Sequence, residues 1–404
     1  MRASWTLVHR YLGLLTAGFL FTSGLTGAVI SWDHELDDLL NPQLMEARTA
    51  GVALPSLELA RLIEERHPDA KVSYIPLHAV KGDSLGFGVD AKGFNQVFVD
   101  PVSGAELGKR EWGAVWPISK ETFVSFLYKL HYSLHIPAMW GIDRWGIWLM
   151  GAIAMVWLVD SFVGFYLTLP VRARSPAGRG WWQRWKPAWK VRWGGGSAKL
   201  NFDLHRAFSL WTWGLLFVLA FTAFSLNLYR EIFYPVMQTI SELTPTPFDT
   251  RTPRDLNNPI LARVGYAQVL EKAGAEARRR EWREPAGSVF YSQAYGIYGV
   301  SFFKAGDDHG AGGAGPAVLY YDGLDGRLLG ERKPWTGSAA DLFVQAQFPL
   351  HSGRILGLPG RILISFMGVV VAMLSVTGVV IWWRKRSSRT RAAAAQKNAA
   401  QPAL

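Results

Sequence analysis

Five histidines stand at the ends of long apolar segments, and their spacing predicts metal ligation. His9 in "LVHRYLGL" and His205 in "DLHRAFSL" each precede an apolar run. His131 in "YKLHYSLHIP" and His351 in "FPLHSGRI" share a Leu-His context ahead of two further runs. Imidazoles from two different helices can occupy the two axial positions of a haem iron. The pattern therefore predicts one haem b between His9 and His205 and a second between His131 and His351.

His135 competes with His131 for the second haem. It lies four residues further on, on the same helical face, so either ring could point at the iron. His131 is favoured because it shares its Leu-His context with His351. The other histidines have no repeat-related partners, and we expect them to be solvated surface residues: His34, His67, His78 and His309.

Charged residues flank the predicted ligands. Arg10 and Arg206 directly follow two of them, and Arg144 and Arg361 stand just ahead of two apolar runs. Each arginine could bind a haem propionate through two parallel hydrogen bonds. Topology bias and snorkelling towards the membrane surface account for them equally well. Asp160, in "WLVDSFVGFYL", is an acid within an apolar run, and hydrogen bonding, ligand orientation and proton transfer all stay open for it.

The elements that must position these residues are four apolar runs, at Tyr11–Trp32, Trp145–Leu169, Ala207–Leu228 and Ile362–Trp383. Each has 22 to 25 residues, and a helix needs about 20 residues to cross a membrane. The first run is longer than the apolar part of a signal peptide and has no clear cleavage site, so we expect it to be retained. The chain of 404 residues is therefore predicted to be a multi-pass membrane protein.

Lys and Arg residues indicate the orientation. The segment "RARSPAGRGWWQRWKPAWKVRWGGGSAK" (172–199) and the tail after Trp383 are both strongly basic, which predicts a cytoplasmic location for them and for both termini. The net charge of +11 is mostly this topology signal, with attraction to anionic lipid, and gives little support for nucleic-acid binding. The chain has no cysteine, which excludes disulfides and covalent haem attachment.

The two halves of the chain repeat one plan. "VFVDPVSGAELGKREW" (97–112) parallels "LYYDGLDGRLLGERKPW" (319–335), and each has the alternation and glycine turn of a β-hairpin. Helical spacing at 56–68 and 259–274 places a helix ahead of each hairpin. The repeat predicts a membrane all-α four-helix bundle with two small α+β domains. We expect transmembrane helices at 9–32, 144–169, 204–229 and 361–383, domains at 33–119 and 230–337, approach segments at 120–143 and 338–360, a basic linker at 170–203 and a basic tail at 384–404.

The order of these motifs resembles the PepSY-associated transmembrane helix family over nearly the whole chain. The motifs that carry the likeness are "HRYLGL", "LHYSL", "VDSFVGFYLTLP", "DLHR", "LHSG", "GLPGR" and the paired turns "VDPVSGAELG" and "YDGLDGRLLG". Within that family the chain is most similar to inner-membrane ferric-siderophore reductases of the FoxB type. The resemblance implies two non-covalent b haems between four spans, PepSY-like domains in the periplasm, and ligands at His9, His131, His205 and His351.

These expectations describe a di-haem b inner-membrane reductase that reduces siderophore-bound Fe(III) and releases Fe(II) in the periplasm. Its partners would be a ferric siderophore, a quinol or cytoplasmic electron donor, and membrane lipid. The sequence assigns no catalytic residue. Two alternatives are a non-enzymatic PepSY scaffold that binds peptides or proteins, and an iron or siderophore transporter. Asp160 is the single acid within the four apolar runs, which weighs against transport.

Overall fold

The protein combines long apolar helices with one antiparallel β-sheet. The computed structural model describes residues 1–171, 180–255 and 258–400, so residues 172–179 of the predicted basic linker and 401–404 of the predicted tail lie outside the described residues. Within those ranges the helices are α1 Arg2–Ile30, α2 Asp33–Leu40, α3 Pro42–Met45, α4 Ser56–Arg66, α5 Lys120–Ser133, α6 Trp145–Thr168, α7 Trp181–Trp185, α8 Ser197–Trp211, α9 Trp213–Asn227, α10 Tyr234–Ile240, α11 Tyr266–Arg279, α12 Ala339–Ser352 and α13 Leu358–Ala400. The strands are β1 Lys71–Pro76, β2 Leu85–Asp90, β3 Gln96–Val99, β4 Glu106–Arg110, β5 Ala286–Ser292, β6 Ile297–Phe302, β7 Ala317–Asp322 and β8 Leu328–Arg332.

The predicted four-helix bundle is wrong. In the described part of the chain, three continuous helices are long and apolar enough to cross a membrane: α1, α6 and the Leu358–Ala394 part of α13. The predicted third span, 204–229, is instead divided between α8 and α9, which are bent by 72° relative to each other. The candidate spans of the described chain are therefore three continuous helices and one broken pair of helices.

Thr212 lies at the break between α8 and α9. Its backbone has φ of −108° and ψ of 8°, outside the values of an α-helix, and its hydroxyl donates a hydrogen bond to the carbonyl of Phe208 at 2.7 Å, one turn earlier. The tryptophans on either side hold the two arms in different directions. Trp211 Nε1 donates to the carbonyl of Trp189 at 3.2 Å, and Trp213 Nε1 donates to the carbonyl of Ser161 at 3.1 Å. Apolar composition alone does not reveal such a bend.

Small residues let α1 and α13 approach closely. A Cβ atom added at Gly24 would lie 2.6 Å from the carbonyl oxygen of Gly368, so the two backbones are in direct contact there. Membrane helices associate through such small residues because the lipid supplies no hydrophobic driving force between them. The contact joins the first span of one repeat to the last span of the other.

The expected two separate α+β domains are also wrong, because their strands form a single eight-stranded sheet. Its strand order is β4-β3-β2-β1-β5-β6-β7-β8, and all pairings are antiparallel. The halves meet where β1 pairs with β5, with Tyr74 opposite Phe290 and Ile75 opposite Val289. Each half alone would leave an unpaired strand edge, and the pairing satisfies both edges at once. The two predicted hairpins, β3–β4 and β7–β8, are confirmed at the outer edges of this sheet.

One apolar core serves both halves of the sheet. Leu59 and Ile63 of α4 pack in the same cluster as Val269 of α11, together with strand residues such as Phe87. The predicted helix at 56–68 is confirmed as α4, and the one at 259–274 lies later, as α11. Because this core is continuous, the strands and helices of both halves pack as one domain.

A buried ion pair holds the sheet domain against α5. The Arg110 guanidinium, at the end of β4, binds both carboxylate oxygens of Asp37 in α2 at 2.8 and 2.7 Å. It also donates to the carbonyl of Glu121 in the first turn of α5 at 2.9 Å. A bidentate pair of this kind fixes orientation as well as distance. The position of α5, and of His131 on it, is thus set by the sheet.

Candidate functional site

The first candidate site lies between α1 and α8, at the end of the spans that adjoins the 170–203 linker. The imidazole centroids of His9 and His205 are 6.4 Å apart, with the ring planes at 53°. We call these two residues the linker-side pair. The structure thus brings together two histidines whose matching sequence contexts lie nearly two hundred residues apart.

The second candidate site lies between α5 and α12, at the end of the spans that adjoins the sheet. The centroids of His131 and His351 are 6.1 Å apart, with the ring planes at 57°. We call these two residues the sheet-side pair. Its separation and tilt are close to those of the linker-side pair, as expected for sites related by an internal repeat.

Protein oxygens hold the Nδ1 atoms of the linker-side pair. His9 Nδ1 lies 3.0 Å from both carboxylate oxygens of the buried Asp160 in α6. His205 Nδ1 lies 3.1 Å from the carbonyl of Leu374 and 3.0 Å from Thr377 Oγ1, both in α13. A carbonyl or carboxylate oxygen only accepts, so each Nδ1 carries a proton and each Nε2 is the nitrogen outside these contacts.

The sheet-side pair is held in the same tautomer, by neutral groups. His131 Nδ1 donates to the carbonyl of Ser23 at 3.0 Å and lies 3.1 Å from Thr26 Oγ1. His351 Nδ1 lies 2.9 Å from Thr222 Oγ1. The Thr222 hydroxyl donates its own proton to the carbonyl of Val218 at 2.8 Å, so it accepts from His351. All four Nε2 atoms are therefore available as ligands.

The separation of the rings fits one iron between each pair. An imidazole nitrogen lies about 2 Å from the metal it ligates, and the ring centre about 1 Å beyond, so two imidazoles across one iron have centroids about 6 Å apart. The observed 6.4 and 6.1 Å match this distance. Glycines make room for the rings, since an added Cβ would lie 3.3 Å from His9 Cε1 at Gly164, 3.2 Å from His205 Cε1 at Gly378 and 2.9 Å from His131 Cε1 at Gly27.

Comparison with protein families places nearly the whole chain in one of them. The family model described as PepSY-associated TM region matches residues 6–385, which includes both histidine pairs and the complete sheet. The chain belongs to the PepSY-associated TM region family. None of the curated proteins matches it.

His135 of this PepSY-associated protein is directed away from the sheet-side pair. Its ring stacks on Phe126 with centroids 4.5 Å apart, and its Nε2 hydrogen-bonds to the Phe126 carbonyl at 2.8 Å. The backbone causes this, because α5 ends at Ser133 and both Leu134 and His135 have φ of 53°. The shared helical face assumed for His131 and His135 therefore ends before His135. Of the two competitors, His131 faces His351.

The four arginines expected at haem propionates have different surroundings. Arg144 bonds to Glu231 at 2.9 Å, and Arg206 bonds to Asp203 and to the carbonyl of Pro187, each at 2.9 Å. Arg361 binds Glu35 at 2.7 Å, and this hydrogen bond lowers the pKa of the Glu35 carboxyl to about 2. Arg10 has no acidic partner within ion-pair distance among the described residues. Propionate binding by these arginines stays a prediction, and Arg10 is the one without competing protein partners in the described chain.

The sequence motifs do not single out the two threonines at the sheet-side pair, although the repeat contains a signal for them. Thr26 follows His9 by 17 residues, and Thr222 follows His205 by the same 17 residues. Thr26 Oγ1 lies 3.1 Å from His131 Nδ1, and Thr222 Oγ1 lies 2.9 Å from His351 Nδ1, so each threonine contacts the histidine of an approach helix. Aligning the spans on their histidines would have revealed this pair. Asp160, whose role the sequence leaves open, contacts His9.

Two of the histidines expected to be solvated meet each other instead. The rings of His34 and His309 have centroids 4.9 Å apart. His67 forms a pair with Glu106 at 2.8 Å, and His78 is exposed. The meeting of His34 and His309 has no counterpart in the sequence repeat.

Proposed function

We propose that this protein is a di-haem b membrane reductase that passes electrons across the membrane to ferric iron held in a siderophore. In this proposal the basic linker and tail lie in the cytoplasm, the sheet domain lies in the periplasm, and the membrane is the bacterial inner membrane. Electrons would come from quinol or a cytoplasmic donor. The reduction is the function that the resemblance to siderophore reductases implies.

The observation that carries the proposal is the geometry of the two histidine pairs. Each pair has a ring separation that suits bis-imidazole ligation, and each imidazole has its Nδ1 held by the protein, which leaves Nε2 as the atom that would ligate. A haem b with two imidazole ligands exchanges single electrons and has no open position for oxygen or substrate. One pair at each end of the spans suits transfer across the membrane.

The residues around the pairs would orient the ligands. Asp160, Ser23 and Thr222 each contact the Nδ1 atom of a ring, which would hold the ring plane and leave Nε2 to bind an iron. Asp160 and Thr222 are themselves buried, which keeps water from competing for these hydrogen bonds. Ligands held in this way need little rearrangement when the oxidation state of the iron changes.

The substrate chemistry requires only an electron. Siderophores bind Fe(III) through hard oxygen ligands, and Fe(II) is a softer ion that such ligands hold less tightly. Reduction therefore releases the metal without any bond of the siderophore being broken. We place this step at the sheet-side end, where the histidine pair lies next to the sheet domain.

The test is a single-turnover reaction with a defined substrate. Purified protein is reduced with dithionite, freed of excess reductant, and mixed anaerobically with ferrioxamine, a trihydroxamate complex of Fe(III), while ferrozine traps any Fe(II). We expect the reduced haem bands to disappear as about two Fe(II) per chain are trapped, because each of two haems holds one electron. A control with the double variant His205→Ala/His351→Ala should trap none. Stable haem bands in the presence of the ferric complex would contradict the reductase proposal, and a folded protein without haem would favour a peptide-binding scaffold.

A further inference from the structure

A group of metal-ligating side chains lies at the sheet-side end of the spans, outside the histidine pairs. It consists of His34 at the start of α2 and of Asp308 and His309 in the loop between β6 and β7. One ligand atom from each of the three residues lies within 4.8 Å of the others. The imidazoles of His34 and His309 meet edge to face, with ring planes at 76°. We call these three residues the His-Asp-His cluster.

The donor set suits one class of ion. Two imidazoles and one carboxylate are typical ligands of divalent first-row transition metals such as Fe(II), Co(II) and Zn(II). Ligand atoms around such an ion lie about 3.4 Å apart in a tetrahedral arrangement, so the side chains need only small rotations to close on it. His34 and Asp308 are exposed, which leaves them free to make those rotations and leaves the remaining coordination positions open to water or an incoming ligand.

The backbone segments that carry the cluster are both anchored on Arg354. Asp33, next to His34, pairs with the Arg354 guanidinium at 3.3 Å. On the loop side, an added Cβ at Gly313 would collide with the side chain of Arg354, so the loop backbone rests directly on that residue. Since His34 and His309 come from opposite halves of the chain, this shared anchor keeps them together.

Hydrogen bonds also fix the shape of the loop itself. The Gly315 amide donates to the carbonyl of His309 at 2.7 Å, and Trp335 Nε1 donates to the carbonyl of Ala311 at 2.7 Å. Three of the loop glycines, Gly310, Gly312 and Gly313, have φ of 62°, 60° and 75°, a left-handed region that other residues seldom occupy. The loop therefore presents Asp308 and His309 in a defined position before any ion binds.

We propose that His34, Asp308 and His309 form a binding site for a divalent first-row transition-metal ion. The assignment depends on these donor atoms alone and holds whether or not the chain carries haem. An ion shared by His34 and His309 links α2 to the sheet loop. The anchor Arg354 connects the site to the sheet-side pair, because it follows His351 by three residues. Fe(II) released at that end of the molecule would meet these ligands on its way out, a role that rests on the proposed reductase function.

Metal counting on the full chain tests the site. Protein with its purification tag removed and treated with EDTA is dialysed against Co(II), and bound cobalt per chain is measured by mass spectrometry, a readout to which haem iron does not contribute. We expect about one Co(II) per wild-type chain, with affinity reduced at least tenfold in His34→Ala, His309→Ala and Asp308→Asn, since even residues behind a ligand change metal affinity 10- to 100-fold. His78→Ala, which removes an exposed histidine outside the cluster, is the matched control and should bind like wild type.

The variants also separate loss of the site from loss of the fold. Asp308→Asn keeps the shape of an exposed side chain, so it decides the question if either histidine variant is destabilised. Equal cobalt binding by wild type and Asp308→Asn would overturn the proposal, as would a wild-type chain that binds no cobalt. Neither result would affect the haem content, so failure of this site is distinguishable from failure of the reductase function.

Discussion

The linker-side and sheet-side pairs share one geometry but differ in the groups behind the ligands. Behind His9 is the carboxylate of Asp160, whereas behind His131 and His351 are a carbonyl and the hydroxyls of two threonines. A carboxylate partner makes an imidazole a stronger electron donor than a hydroxyl does. The two halves of the chain thus share the positions of the paired histidines but differ in the charge next to one pair.

If the two pairs hold haem as proposed, this difference would favour one direction of electron transfer. A more electron-rich ligand stabilises Fe(III) relative to Fe(II), so a haem held by His9 and His205 would have the lower potential. Electrons would then pass more favourably from the linker side to the sheet side than in reverse. This is the direction required to reduce a substrate at the sheet-side end.

The largest expected effect is a loss of haem from the sheet-side pair when the space beside the His131 ring is filled. Gly27→Leu places a side chain against His131, since even a Cβ there would lie 2.9 Å from His131 Cε1. We expect this variant to lose about one of two haems by pyridine haemochrome assay, with the linker-side haem retained. Gly18→Leu is the control in the same helix, because a Cβ at Gly18 has no neighbour within 4 Å. Equal haem content in the two variants would show that the sheet-side pair does not need this space.

A smaller effect, on the midpoint potential of the linker-side haem, is expected when the negative charge of Asp160 next to His9 is removed. Asp160→Asn keeps a hydrogen-bond acceptor next to His9 Nδ1 but removes the negative charge. In a His351→Ala background, which leaves only the linker-side haem, we expect the midpoint potential to rise by up to about 60 mV, equivalent to a tenfold change for one electron. Redox titration measures it, with Ser161→Ala as the neighbouring control. An unchanged or lower potential would remove the basis for the direction of transfer.

The smallest effects should distinguish the two threonines. Thr222→Val leaves the Nδ1 proton of His351 without an acceptor, which costs about 1 kcal/mol, or about fivefold in haem affinity. Thr26→Val should cost less, because His131 still donates to the carbonyl of Ser23 at 3.0 Å. Haem transfer to apomyoglobin measures both variants. A larger loss in Thr26→Val than in Thr222→Val would contradict this account of the sheet-side hydrogen bonds.

Features that depend only on a short stretch of the chain could be predicted from the sequence. The hairpins β3–β4 and β7–β8 are local patterns, and both are present in the sheet. The sequence contexts of the histidines are also local, and the structure brings four of the five together in two pairs. The residues that hydrogen-bond to the histidines could not be recognised from the local sequence. Thr26 and Thr222 look like ordinary small residues of a membrane helix until the two spans are aligned on His9 and His205.

Features set by distant contacts could not be predicted. The sequence of β1 indicates a strand but not that its partner is β5, because an edge strand carries no local signal for its neighbour across a domain boundary. The bend at Thr212 lies within an otherwise apolar run, and the tryptophans on either side of it bond to distant carbonyls, those of Trp189 and Ser161. The meeting of His34 with His309 needs both the joined sheet and the folded loop, so it follows only from the complete fold.

The most direct test of the central claim compares two histidines four residues apart. Wild-type protein, His131→Ala and His135→Ala are purified under haem-replete conditions, and dithionite-reduced minus oxidised spectra are combined with pyridine haemochrome quantitation. The account predicts two b haems per chain in wild type and in His135→Ala, and one in His131→Ala, because only His131 faces His351. Two haems in His131→Ala, or none in folded wild-type protein, would contradict the assignment of the paired histidines as haem ligands.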